Sequence, residues 1–292
     1  MSIAITTPTG HIGRQLVDHL LAHDEPVIVL LREAAKLPAA VRERVTMYEG
    51  VLQDAAYVQE ATQGADALFW LSPNHITAPS MYGWYEEMAQ AATSAIAANG
   101  IGHVVHLSSQ GAHHRDGMGP VSGLGRVEEA LDATEAAVRH LRPTFFMENF
   151  EAQLGAIQQA GAVFFPAPPE TTTGMIATQD IARAAADWLI DRSWQGTDIV
   201  PLHGPRDYSY AEAAAVLTEA LGRPVRAQQV PPEAVREQVL GYGASPDYAD
   251  ALVTLYTRIG RPEYVGSPRS AATTTPTTLE TYVRTTLRPM LG

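Results

Sequence analysis

The sequence contains no cysteine. Disulfides, thiolate zinc sites and thiol nucleophiles are therefore excluded together, and the absence fits a reducing cytoplasm. Lysine is almost as scarce: the 20 basic residues include a single one, Lys36, against 32 acidic residues, for a formal net charge of -12. That balance leaves no basic field for phosphate backbones, so nucleic acid is not expected as a direct partner. No run of about 18 apolar residues occurs, and the first residues read as a strand rather than as a charged and then apolar leader. The expected setting is cytoplasmic, with a small-molecule substrate, no membrane, and a homodimer as the assembly to consider. Several catalytic patterns are missing too. No G-x-S-x-G elbow signals a hydrolase. His19 and His23 have metal-ligand spacing, but the glutamate of H-E-x-x-H is absent, and no metal is expected. His103 and His106 are three apart on a strand, point to opposite faces, and cannot share an ion.

What is there is regular. With 292 residues, 46% hydrophobic and 18% charged, the chain is long enough for one domain or one and a half. Short apolar runs at 2–6, 26–31, 45–49, 66–71, 103–108 and 138–142 alternate with helical patterns near 11–22, 34–42, 54–62, 80–99 and 120–136. Apolar strands separated by helices are the product of βαβ crossovers, since helices must cover both faces of a parallel sheet. The pattern predicts a doubly wound α/β sheet over residues 1–150. After Arg142 the rhythm changes. A helix at 178–191 and a strand at 198–202 are expected to return to the sheet, TTTG reads as loop or edge strand, and 151–292 otherwise form a smaller mixed substrate domain. TTTPTT at 273–278 reads as a loop and N-cap before a last helix.

The stretch ITTPTGHIG follows the first strand and opens the first helix. A dinucleotide-binding turn would place glycine at 7, 10 and 13; the sequence supplies Thr7, Gly10 and Gly13, and Pro8 removes one backbone donor. The free N–H groups of the helix would carry the pyrophosphate. The bland alternative is a βα turn with Gly13 packed against it and no ligand. At the end of the second strand, LLREAAKL places Arg32 and Lys36 where an arginine would accept a 2′-phosphate, which favours NADP over NAD. They read equally as a solvated pair, with Glu33 as partner to either.

TTPTGHIG, LLREAAK, GADALFWLSP, GHVVHLSS, LRPTFFMENF and GPRDYSYAEAAAVLTEALGRPV, in order from residue 3 to about 230, resemble the NmrA-like group of atypical short-chain dehydrogenase/reductases. The resemblance implies a Rossmann domain, a small C-terminal substrate domain, and NADP(H) in the groove between them. It implies Thr9, Gly10, His11, Ile12 and Gly13 at the pyrophosphate, and Leu71, Ser72 and Pro73 beside the adenosine. Ser108 and Ser109 would face the nicotinamide ribose, and Pro143, Thr144, Phe145 and Phe146 the nicotinamide. Two positions depart from the family pattern. Thr7 replaces the first glycine, with a hydroxyl that could donate to phosphate, and Val51 replaces an acidic residue that contacts adenine.

Three functions follow from that resemblance. The first is an NADP-dependent oxidoreductase acting on a small aromatic or quinone-like molecule; the second is a non-catalytic NADP(H) sensor; the third is a non-redox isomerase or cyclase. The proton donor is the weak point. No tyrosine is followed by lysine four residues later, since the residue four before Lys36 is Arg32, and the position where active relatives place Lys or His is Leu124. Developing negative charge still needs a donor. Ser109, His113 and His114, in HLSSQGAHHRDG, are the nearest candidates, set against plainer roles as a ribose or loop partner for Ser109 and solvated loop histidines for the others. The aromatic MYGWYEEM at 81–88 could wall a flat substrate or form a helix surface. Phe145, Phe146, Phe164 and Phe165 could face the cleft or fill the core.

Overall fold

The computed structural model describes residues 2–261 and 266–291. Six strands alternate with helices: β1 (Ser2–Thr6), β2 (Val27–Leu31), β3 (Thr46–Glu49), β4 (Ala65–Trp70), β5 (His103–Leu107) and β6 (Ala137–Pro143). Between them run α1 (His11–Ala22), α2 (Ala39–Arg42), α3 (Ala55–Ala61), α4 (Met81–Asn99) and α5 (Pro120–Asp132). The helix expected over 34–42 is broken in two. Ala34–Lys36 forms a single 3-10 turn, and Leu37 turns extended at φ -83°, ψ 141°, as the residue before a proline must.

The chain then leaves the sheet through β7 (Phe145–Phe146), α6 (Leu154–Ala160), β8 (Ala162–Phe165) and β9 (Thr172–Ile176). It returns with α7 (Thr178–Ile190) and β10 (Thr197–Leu202), which pairs in parallel with β6. The central sheet is seven-stranded, in the order β3-β2-β1-β4-β5-β6-β10. Its direction of winding reverses between β1 and β4, the place where open α/β sheets bind ligands at the carboxyl ends of their strands.

The remaining elements are β11 (Asp207–Ser209), α8 (Tyr210–Leu221), β12 (Arg226–Gln229), α9 (Pro232–Gly241), α10 (Pro246–Tyr256) and α11 (Leu279–Tyr282). The TTTG segment is neither loop nor edge: it enters β9, the middle strand of a small sheet β11-β9-β7. Thr278 caps α11 by accepting from Thr281 N–H, as its position before the last helix requires.

Three apolar cores follow from this arrangement. Leu68, Trp70, Val104 and Val138 face α3, α4 and α5, while Ile3, Val29, Phe69 and Val105 face α1 and α7. Met147, Phe150, Phe165 and Leu217 build a third core beyond the sheet. His103 and His106 do lie on opposite faces: His103 meets Trp194, and His106 Nδ1 lies 3.0 Å from His140 Nδ1 in the interior. Among the described residues no group of side chains is arranged to hold a metal, and no helix is long and apolar enough to cross a membrane.

One buried charge ties the sheet to α5. The Glu128 side chain is 1% exposed and accepts from Arg142 Nη2 at 2.5 Å, Arg115 Nη1 at 2.9 Å and Ser108 Oγ at 2.5 Å. Burial alone would raise its carboxyl, but the hydrogen bonds from Arg142, Ser108 and Arg115 prevail and hold it down at about 2. An unfolded glutamate titrates near ~4.3, so this contribution is complete above that value and is lost as the pH falls towards about 2. Glu128→Gln leaves Arg142 buried without its counter-charge, and chemical denaturation at neutral pH is expected to show a loss of about 3–5 kcal/mol. A variant as stable as the parent, or one with the parent's acid sensitivity, would contradict this assignment.

Candidate active site

The turn after β1 keeps its glycine-like shape without the glycine. Thr7 sits at φ 52°, in the left-handed region that side-chain-bearing residues rarely adopt, at a cost on the order of 1–2 kcal/mol. The turn closes when Gly10 N–H donates to Thr7 O at 3.2 Å. Gly13 is required by contact: a Cβ there would lie 2.1 Å from Thr7 O and 2.9 Å from Pro8 Cα. Gly10 is the N-cap of α1 and offers no side chain to the first-turn N–H groups, which leaves them free for an anion. The Thr7 hydroxyl is buried and has no hydrogen-bond partner. An uncapped twelve-residue helix and an unpartnered buried hydroxyl at one turn fit the phosphates of a dinucleotide.

A channel of about 720 Å³ runs from this turn, lined by Thr7, Gly10, His11, Ile12 and Gly13. Thr9 is exposed and does not line it, because the turn directs it outward. Leu71, Ser72 and Pro73 form the next part of the wall. Thr6 Oγ1 fixes their approach by accepting from Leu71 N–H at 2.9 Å, while Ser72 Oγ accepts from Trp70 Nε1 at 3.1 Å. Beyond β5 come Ser108 and Ser109. The Ser108 hydroxyl proton is committed to Glu128, so this serine meets a ligand only as an acceptor. Ser109 Oγ donates to Gln110 O at 3.2 Å, a long bond that a ligand can replace.

Arg32 and Lys36 follow β2 and are exposed outside the channel wall. Lys36 Nζ pairs with Glu33 Oε2 at 2.9 Å, whereas Arg32 makes no hydrogen bond or ion pair among the described residues. His113 is out of place as a proton donor. It is exposed, lines neither the channel nor the chamber beyond it, and its ring lies 4.0 Å from that of His114, tilted by 42°. Burial, His114 and Arg142 together lower its pKa. The loop carries it away from the sheet edge because Arg115 is drawn back to Glu128 and to Ala112 O.

The channel opens into a chamber of about 520 Å³, and the two share Ser109, Val121, Phe146, Asn149 and Leu255 as walls. Pro143, Thr144 and Phe145 line the chamber and not the channel. Tyr210 and Ile259 complete its apolar side. In the aromatic segment at 81–88, Met81, Trp84, Tyr85 and Met88 are all core, and Tyr85 also borders the channel and donates to Asn74 Oδ1 at 2.8 Å. Burial raises the Tyr85 phenol above its ordinary value, so it remains protonated. Of the four phenylalanines, Phe165 is buried in the third core, Phe164 is half-buried beside the cavity under α9, and Phe145 and Phe146 face the chamber.

Several lining residues carry no signal in the sequence. His203 follows β10 and reaches the chamber because Leu202 is in register with Pro143. Gln110 Oε1 accepts from Ser267 N–H, which turns its amide nitrogen towards His203 Nε2 at 3.2 Å. His203 Nε2 is therefore an acceptor and the neutral ring carries its proton on Nδ1. Burial and the Arg269 charge lower its pKa, against smaller opposite effects of Asp207 and the Ser267 backbone. Glu148 lines the channel and caps α7, its Oε1 accepting from Thr178 N–H at 2.9 Å and Oγ1 at 2.6 Å. Leu252, Leu255 and Tyr256 of α10 close the channel from above.

A model described as the NmrA-like family matches residues 1–283. The chain is 28% identical over 263 residues to an NAD(P)H azoreductase of Xenophilus azovorans, covering 90% of this chain and 88% of that one. It is 23% identical over 258 residues to quinone oxidoreductase 2 of Escherichia coli, covering 86% and 85%. The crystal structure of Citrobacter sp. triphenylmethane reductase complexed with NADP(H) superposes with a TM-score of 0.78 at 22% identity, covering 97% and 99%.

The contact at Gly13 yields a direct test. Gly13→Ala drives a methyl into the Thr7 carbonyl and Pro8, both backbone, and overpacking of this kind costs about 1–3 kcal/mol. Its Tm is expected to fall; an unchanged Tm would show that the turn is not packed as described.

Proposed function

We propose, for a chain that belongs to the NmrA-like family, that it is an NADPH-dependent reductase of small aromatic or quinone-like molecules. The observation that carries this reading is the continuity of the two spaces: a phosphate-ready channel at the switch point opens directly into a chamber that sets Phe145, Phe146 and Tyr210 beside polar side chains such as Thr172, Asp207 and Arg269. The related azoreductase and quinone oxidoreductase support the substrate class. A domain division follows: residues 1–150 with 178–202 hold the cofactor, and the rest of 151–292 forms the substrate side. The reading also includes a cytoplasmic setting, no direct nucleic-acid contact, in keeping with the charge of -12, and a homodimer.

In this reading α1 and Thr7 hold the pyrophosphate, and Arg32 takes the 2′-phosphate together with Lys36 once Lys36 exchanges Glu33 for it. When bound, NADPH supplies a hydride. The chain's own residues then do the rest. Ser108, fixed by Glu128, and Ser109 orient the nicotinamide end, and Phe145 and Phe146 hold a flat acceptor beside it while excluding water. Developing charge on the acceptor oxygen or nitrogen meets Ser109 Oγ, with its proton replaced from solvent, since His113 is outside the chamber. The sequence offers no tyrosine–lysine pair, and the position of Leu124 on the channel wall leaves that part apolar.

Arg32→Ala is expected to weaken NADPH binding by about tenfold or more, the worth of a charge-assisted hydrogen bond, and to leave NADH nearly unchanged. Calorimetry with both nucleotides checks it, and loss of NADPH absorbance with a panel of quinones and azo compounds checks turnover. Equal losses for both nucleotides would remove Arg32 from the 2′-phosphate site. No oxidation by any acceptor, with binding intact, would instead favour a nucleotide sensor.

A further inference from the structure

The chamber has a side branch that the reduction of a single ring does not use. A third cavity, of about 690 Å³, lies under α9 and shares Phe145, Asn149, Tyr210 and Ile259 with the chamber. Its inner wall is aromatic. Phe165 and Tyr210 are stacked with ring centroids 3.9 Å apart and planes within 8°, and Phe145 stands 6.3 Å from Phe165. Its outer wall is one face of α9, where Ala234, Val235 and Gln238 line the space. That helix buries none of its residues. It is held by its neighbour α10 and by half-buried Val239, which packs against the core on the α4 side of the sheet.

The three spaces meet at one side chain. Asn149 lines the channel, the chamber and the branch, it is exposed, and its amide makes no hydrogen bond among the described residues. An amide offers both a donor and an acceptor, so it suits a polar atom located between two apolar groups. Tyr210, at the boundary of chamber and branch, has its phenol pushed up to about 12 by burial and remains a neutral apolar wall.

We propose that the branch binds the second ring of an elongated two-ring acceptor, with one ring in the chamber, the other under α9, and the linking carbonyl or azo group at Asn149. The proposal rests on the reductase reading for its chemistry, but not for its occupancy. A phenyl ring set against Phe145 and Phe164, the half-buried aromatic side chains of this wall, gains both apolar burial and offset ring contacts. The specificity-determining residues are then Val235 and Ala234 of α9 together with Asn149, none of which touches the phosphate turn.

The test is binding of two probes to the NADP-loaded protein by calorimetry: 4-hydroxyazobenzene, with two rings, and phenol, with one. The parent is expected to hold the two-ring probe at least tenfold more tightly. Val235→Trp, which fills the branch from an exposed helix, is expected to abolish most of that difference while phenol binding stays within twofold. Ala234→Phe serves as a second filling variant should the first lose its far-ultraviolet helix signal. Equal affinity of the parent for the two probes, or equal weakening of both by the filling variants, would overturn the branch assignment. Failure of the reductase reading has a different signature: NADPH is not oxidised by any acceptor while the tenfold preference and its loss in Val235→Trp persist.

Discussion

The Glu128 carboxylate is the point on which the site depends. It lies beneath the carboxyl edge of the sheet, where Ser108 follows β5, Arg142 lies one residue from the end of β6, Arg115 returns from the connecting loop and Glu128 itself rides on α5. Four chain segments therefore converge on two oxygen atoms. A buried charge is costly alone, and here it is tolerated because every lone pair is engaged by a donor. The consequence reaches the ligand side of the sheet: Ser108 is oriented, and the loop after it is drawn inwards at Arg115. His113 is carried outwards by the same tether. A feature that looks purely structural thus decides which of the loop's polar side chains can meet a substrate.

The turn at Thr7 shows a second constraint with the opposite economy. The backbone there is left-handed although the residue is threonine. What forces it is the closeness of Gly13, whose missing side chain lets α1 approach the Thr7 carbonyl. With the helix seated this closely, the chain must reverse at residue 7 whatever residue is there. The strain is offset if the hydroxyl does something glycine cannot. Its burial without a partner beside the uncapped end of α1 fits that role, because a phosphate oxygen would satisfy it.

The central sheet was legible because its strands are apolar on both faces and are separated by helices of ordinary length. Val27–Leu31 and Ala65–Trp70 lie within two residues of their expected limits. The match fades where tertiary partners decide. Thr172–Ile176 carries no strong strand pattern and becomes central only because β11 and β7 flank it. The 34–42 helix fails at a proline that the apolar spacing alone does not weigh. Within the site, the turn and the two serines after β5 are readable, since they follow directly from strand ends. His203, Asn149 and Tyr210 are not, because their meeting depends on the register of β10 against β6 and on a helix pair contributed by a distant part of the chain.

The same division explains how a reductase can do without the tyrosine–lysine pair. That pair is needed where an alcohol must lose or a carbonyl must gain a proton at a fixed oxygen during hydride transfer. An acceptor that spreads charge over a ring or an azo linkage places less demand on one donor, and proximity then contributes more of the rate. The walls around the chamber are suited to that chemistry. They combine Phe145, Phe146, Tyr210 and Leu255 with Ser109, Asn149, a neutral His203 and the charged pair Asp207 and Arg269, so polar contacts are spread along them instead of gathered in one strong acid at a single point. A chamber built this way selects by shape and delocalisation, and it can take acceptors whose reducible atoms lie at different depths.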